Sequence, residues 1–216
     1  MLLTGSIGGM GVAKDERSAL CDLFDELGPD EPTLCDGWQT RDLAAHLVLR
    51  ERRPDAAAGI LFPPLAGYTR RVQDSIASKP WPELVELVRT GPPLYWPSAI
   101  EAVDEAMNTA EFFVHHEDAR RGQPDWTPRP PDAKRDKALW ATLRRTGRML
   151  LRRSPVGVAL QHGAAEITAK RGPDTVIISG EPGELLLFAF GRDAARVGFD
   201  GEQSSIGVVQ GLTRGL

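Results

Sequence analysis

Pro155 divides two kinds of apolar pattern in this 216-residue chain. Before it, apolar residues recur every three or four positions; after it, they alternate or form short runs between turn residues. The first pattern suits amphipathic helices packed on one another, the second suits short strands. A chain carrying both in that order is expected to be α+β, with a helical part followed by a small mixed part. The Pro-rich stretch Pro124 to Pro131 reads as a module boundary. The expected division is a helical domain over 10–153 and a small C-terminal α/β module over 154–216.

Within the helical part, a first helix is predicted from about Ala13 to Leu27, with Leu20, Leu23, Phe24 and Leu27 as its buried stripe and Gly28-Pro29 as its stop. A loop over 29–37 leads to a second helix, Trp38 to about Arg53, closed by Pro54. A Pro/Gly-containing connection follows. Shorter helices are predicted around Tyr68–Ser78 and Trp81–Arg89, then a long one over Pro97–Arg121 with Ile100, Val103, Met107, Ala110 and Val114 as its stripe. A further helix over Ala133–Arg153 carries Leu139, Leu143, Leu150 and Leu151 opposite a series of Lys and Arg, read as a solvated face in preference to a polyanion site. Beyond Pro155, strands are expected at Val156–Gln161, Ala165–Lys170, Thr175–Ser179 and Arg196–Phe199, with a short helix at Glu184–Gly191.

Composition narrows the partners. The chain is 41% hydrophobic, enough for a core. A formal charge of −4 gives no global attraction to nucleic acid or to an anionic membrane. No run approaches the roughly 20 apolar residues of a membrane span. The first nine residues lack the pattern of a signal peptide, so a cytoplasmic location is expected; those residues are read as an extension before Met10, loosely ordered. Cys21 and Cys35 are too few for a disulfide framework and read as small buried hydrophobes, although Cys35 at the mouth of a site would be a redox-sensitive thiol. Nucleotide-binding, zinc-ribbon and serine-hydrolase motifs have no convincing context.

Three polar residues stand out against this apolar background. His46 shares a helical face with Leu43 and Leu47, and Glu111 and His115 lie one turn apart beside the stripe of the long helix. Four-residue spacing lets a carboxylate and an imidazole reach one ion, but the spacing alone is weak. An ionised Glu facing a core needs a partner, and a divalent cation, an Arg or a protonated His would each satisfy it. Residue physics leaves a metal site and a metal-free ion pair side by side.

The stretch Thr33-Leu-Cys-Asp-Gly-Trp-Gln-Thr-Arg-Asp-Leu-Ala-Ala-His46-Leu, followed by Glu111-Phe-Phe-Val-His115-His-Glu-Asp, resembles the paired signatures of the mycothiol-dependent maleylpyruvate isomerase and DinB-like metal-binding superfamily. Arg-Glu-Arg-Arg-Pro at 50–54 and His-His-Glu-Asp-Ala-Arg-Arg-Gly at 115–122 resemble an actinobacterial subgroup of it. Gly-Glu-Leu-Leu-Leu-Phe-Ala-Phe-Gly-Arg at 183–192 resembles the C-terminal module that accompanies the metal bundle in isomerase relatives. The resemblance implies a DinB-like antiparallel four-helix bundle in which His46, Glu111 and His115 hold a divalent metal ion.

Two imidazoles and one carboxylate leave coordination positions open, as catalytic sites do. Zinc is the expected metal, with nickel or iron suiting the same ligands, and mycothiol is a cofactor the resemblance brings with it. The expected partners are a small-molecule thiol or electrophilic substrate, with neither nucleic acid nor membrane, and a second copy in a homodimer. The activity implied is thiol-dependent isomerisation or thiol transfer, the metal activating a thiol or water; the alternatives are a non-catalytic metal- or ligand-binding sensor or scaffold, and a metal-free structural bundle. Asp118 and Asn108, each one turn from a ligand, are candidates for orienting one. His116, roughly 100° around the helix from His115, is not expected to be a ligand. His162 and Arg192 fall in the C-terminal module, where Arg192 is read either as an anchor for a substrate carboxylate or, preferably, as one half of an ordinary ion pair.

Overall fold

The computed structural model describes residues 11–93 and 101–214. The extension expected over 1–9 and the first turn of the helix expected from Pro97 lie outside the described residues, as does the side chain of Val103. Chain order is α1 (Val12–Leu27), α2 (Thr40–Arg52), α3 (Pro54–Leu61), a 3-10 turn (Pro63–Leu65), α4 (Ala66–Ala77), α5 (Trp81–Thr90), α6 (Glu101–Arg121), α7 (Ala133–Leu150), β1 (Val158–His162), β2 (Ala165–Lys170), β3 (Val176–Ser179), α8 (Pro182–Ala189), β4 (Gly198–Asp200) and α9 (Gln203–Gln210). Helix and sheet are both present, in the α+β sense.

Local chemistry sets the boundaries of the helices that matter most. Trp38 stands outside α2, because Gln39 and Asp42 form a reciprocal capping box that starts the helix at Thr40. Pro54 ends α2 as expected, but it also occupies the first position of α3, where its missing N–H costs nothing and its fixed φ favours a helix. The segment expected to be a plain connection is therefore helical. Asp132 caps α7 by accepting the Arg135 N–H at 2.9 Å.

The strands form one sheet in the order β2-β1-β3-β4, with β1 antiparallel to β2, parallel to β3, and β3 antiparallel to β4. A two-residue turn joins β1 to β2, with Gly163 at φ 56° supplying the left-handed conformation. α8 is more deeply buried than a surface helix, with Leu185 through Ala189 all inside.

Two apolar cores result. One gathers Leu20, Phe24, Leu43, Leu47, Leu84 and Val88 from α1, α2 and α5, with Phe112 of α6. The other gathers Leu139, Leu143, Leu160, Ile178 and Leu186 from α7, the sheet and α8, with Phe113 and Val114 of α6. Adjacent residues Phe112 and Phe113 thus enter opposite cores, and α6 is the wall between them. A helix buried on two sides has no single apolar stripe, which is why Met107, expected inside, is 57% exposed. Ala110 is half-buried and Val114 buried, while Ile100 lies outside the described residues. The apolar stripe of α7 faces the sheet and α8.

Candidate metal centre

α2 and α6 bring His46, Glu111 and His115 together. His46 Nε2 lies 3.3 Å and His115 Nε2 3.2 Å from the same carboxylate oxygen, Glu111 Oε1. The imidazole rings stand 5.2 Å apart at a steep angle, so their nitrogens converge instead of stacking. Tetrahedral ligands held at about 2.0–2.1 Å from a zinc ion stand about 3.3 Å from one another, so the two nitrogen–oxygen separations match edges of such a polyhedron. The three residues are one of two groups among the described residues whose donor atoms are close enough to share an ion.

The protonation of the cluster follows from its surroundings. Burial lowers the His46 pKa and outweighs the hydrogen bond to Glu111, which favours a neutral ring. Burial opposes charge on His115 too, but hydrogen bonds to Asp118, Cys35 and Glu111 overcome it and raise its pKa well above the ordinary value. Glu111 is the mirror case: burial raises its pKa, and the hydrogen bonds from His115 and His46, with the nearby charges of His115 and Arg50, bring it well below the usual carboxylate range. Arg50 Nε also approaches Glu111 Oε1, at 3.3 Å. Asn108, a candidate for orienting a ligand, holds Arg50 instead: its Oδ1 accepts from Nη1 at 2.6 Å.

Asp118 takes the orienting position. His115 Nδ1 is 2.9 Å from Asp118 Oδ2, which fixes the ring and leaves Nε2 facing Glu111. Asp118 is fully buried and also receives Arg192 through Nε at 2.8 Å and Nη2 at 2.6 Å. Burial alone would raise its pKa; the bonds from Arg192 and His115 bring it down to about 2. Arg192 also donates to the Phe190 carbonyl at 2.9 Å and to Cys35 Sγ at 3.6 Å, so the ordinary ion pair forms and the guanidinium is committed to the protein. The Cys35 thiol donates to Asp118 Oδ2 at 3.2 Å. Cys35, His115 and Asp118 make up the second group with converging donors. That group already contains the bidentate Arg192 cation, which disfavours a second positive ion there.

Sequence reasoning did not find this relay from Arg192 through Asp118 to His115, because its ends are 77 residues apart and no local period links them. His116 turns to the other side of α6 and bonds Glu16 at 2.8 Å through Nδ1. His162 sits in β1, with Nδ1 3.2 Å from the Gly180 carbonyl oxygen, and belongs to neither group.

A cavity of about 600 Å³ opens beside the cluster, lined among others by Cys35, Trp38, His46, His115 and Arg192. A second, of about 470 Å³, shares Trp38 and His46 with it and is walled by Thr69 and Gln73 of α4. The imidazoles therefore border space that a small molecule can enter. No helix among the described residues is long and apolar enough to cross a membrane. Compared with known proteins, the chain matches no family model, and neither a curated protein nor a solved structure shows significant similarity to it.

Proposed function

We propose that this chain binds a divalent metal ion through His46, Glu111 and His115 and uses it to activate a thiol or water against a small electrophilic substrate, in the manner of the mycothiol-dependent isomerases and thiol transferases. The observation that carries the reading is the convergence of two Nε2 atoms on Glu111 Oε1 at 3.2 and 3.3 Å beside a cavity of about 600 Å³. Zinc is the proposed metal, with nickel or iron as substitutes. A bound divalent ion supplies Lewis acidity that lowers the pKa of a thiol or water at neutral pH.

The protein's own residues do the rest. His46, held neutral by burial, presents a lone pair without first losing a proton. Asp118 and Arg192 lock the His115 ring, and Trp38, whose ring centre is 5.2 Å from that of His46, narrows the approach between the cavities. The packing of α1 on α6 and of α2 on α4 and α5 supports a DinB-like antiparallel four-helix arrangement around the cluster, with the sheet and its helices as the small C-terminal module. A cytoplasmic location belongs to the same proposal.

A second reading rests on Arg50 and His115. Together they neutralise Glu111 without any ion, as a sensor, scaffold or purely structural bundle would allow. Elemental analysis of protein purified without a chelating tag, alongside His46→Ala and Glu111→Ala, separates the readings. About one divalent ion per chain, lost in both variants with the circular dichroism spectrum unchanged, is the expected result. Absence of metal even after incubation with zinc and nickel would overturn the metal reading. Bound metal without thiol-dependent turnover of electrophiles would leave a binding protein.

A further inference from the structure

The exposed end of α7 and the edge strand β2 form a concave surface of about 450 Å³ lined by Arg148, Arg152, Thr168, Ala169, Lys170 and Arg171. Four of those six residues are cationic and none is a carboxylate. It shares no residue with the cavities at His46. The fold builds this concentration of charge. α7 packs on the sheet at Gly147, where an added Cβ would make ordinary contacts with Leu160 of β1 at 3.6 Å and Ala169 of β2 at 3.9 Å, and the neighbouring Arg148 is carried to the edge strand. Lys170 reaches back across the gap, its Nζ donating to the Arg152 carbonyl at 3.2 Å, and Arg152 donates to the Met149 carbonyl at 2.9 Å. Backbone carbonyls thus fix two of the cations in place without neutralising them.

A chain with a net charge of −4 gains no solubility by gathering positive side chains in one hollow, where they repel one another. Their mutual proximity is relieved by an anion with several negative charges. The Thr168 hydroxyl adds a neutral hydrogen-bonding group to the lining, and the hollow is of a size for a phosphorylated small molecule. We propose that this groove binds a compact phosphate-bearing polyanion, with Arg148, Arg152, Lys170 and Arg171 as its cationic contacts. The phosphate comes either from a soluble phosphorylated small molecule or from a lipid headgroup.

The test is calorimetric titration of the full chain with inorganic tripolyphosphate at low and high salt, beside flotation with phosphatidylglycerol vesicles. Arg148→Ser/Arg171→Ser removes two exposed cations, and Lys14→Ser/Lys137→Ser removes the same charge elsewhere on the surface. Tripolyphosphate binding that weakens with salt, falls about tenfold in the groove variant and persists in the control supports a soluble phosphorylated ligand. The same dependence shown only by vesicles supports the headgroup. Binding of neither probe, or equal loss in both variants, would overturn the proposal. Metal content, unchanged in the groove variant, keeps this outcome separate from that of the metal centre.

Discussion

Arg192 grips Asp118 through two hydrogen bonds, Nε to Oδ1 at 2.8 Å and Nη2 to Oδ2 at 2.6 Å, and Asp118 in turn holds the ring of His115. One ion pair thereby ties the C-terminal part of the chain to a candidate metal ligand on α6. Arg192→Ala leaves a fully buried carboxylate with His115 as its remaining charged partner, and we expect a loss of about 3 kcal/mol in stability. Zinc affinity should fall by about 10- to 100-fold through the loosened ring. Urea unfolding and competition with a chromogenic chelator measure the two effects. Unchanged affinity would show that Asp118 positions His115 without help.

The pKa of Asp118, about 2, is below the ordinary value of 3.8. A carboxylate whose folded pKa is depressed contributes stability that is fully present above the unfolded pKa and is lost as pH falls through the folded one. The window therefore runs from about pH 4 down to about pH 2, with about 2 to 3 kcal/mol at stake. Asp118→Asn should be less stable than the parent at neutral pH and flatter across that window. Parallel pH-dependent unfolding curves for the two proteins would be incompatible with this assignment.

Metal uptake should release protons. In the metal-free protein His115 favours the protonated form, because its bonds to Asp118, Cys35 and Glu111 outweigh burial, and a metal ion must displace the Nε2 proton. Affinity for zinc is thus expected to rise with pH around neutrality. Calorimetric titration in buffers of different ionisation enthalpy reads the proton count directly; zero release would indicate that His115 is not a ligand.

The two thiols should behave differently. Cys21 is fully buried, and its pKa is pushed up to about 12, chiefly by burial. Cys35 is only partly buried and lines the larger cavity. One thiol per folded chain should react with a disulfide reagent at mildly alkaline pH, and two in denaturant. Cys35→Ser should remove the fast reaction.

Close approach at Gly122 offers a structural test of the loop that carries Cys35 and Trp38. A Cβ at Gly122 would stand 2.2 Å from the Pro32 carbonyl oxygen, which is backbone and cannot swing aside. Gly122→Ala should cost about 1 to 3 kcal/mol by thermal or urea unfolding. If the loop is what shapes the entrance, the variant also makes Cys35 react faster with the disulfide reagent.

Most helices of the amino-terminal part could be read from periodicity and stop signals, because each has one buried face and a clear end: Leu20 and Phe24 on α1, Leu84 and Val88 on α5. Polar residues standing beside such faces singled out His46, Glu111 and His115, but grouping them into one site rested on the resemblance of the two signatures. α3 was hidden because Pro54 serves both as the end of one helix and the first residue of the next. Met107 misled because α6 is buried on two sides. The network around Asp118 joins Cys35, His115 and Arg192, which are separated by up to 157 residues. Contacts at that range leave no period to read, and packing alone decides them. The basic face of α7 is legible in the sequence, where a polyanion site stands second to a solvated face, while the other half of the proposed groove was hidden, since Lys170 and Arg171 meet Arg148 only after β2 docks on α7.

The order in which these residues leave the ribosome matters for the wall formed by α6. An emerging chain presents His46 first, then Glu111 and His115, yet Arg192 follows 77 positions after His115. During that interval the cluster has its donors, while Asp118 has His115 but not Arg192 as a charged partner. Arg192 can complete the hold on His115 through Asp118 only once the part of the chain beyond α7 has packed on α6, so the ring's final anchor comes from the last residues of the network to be made.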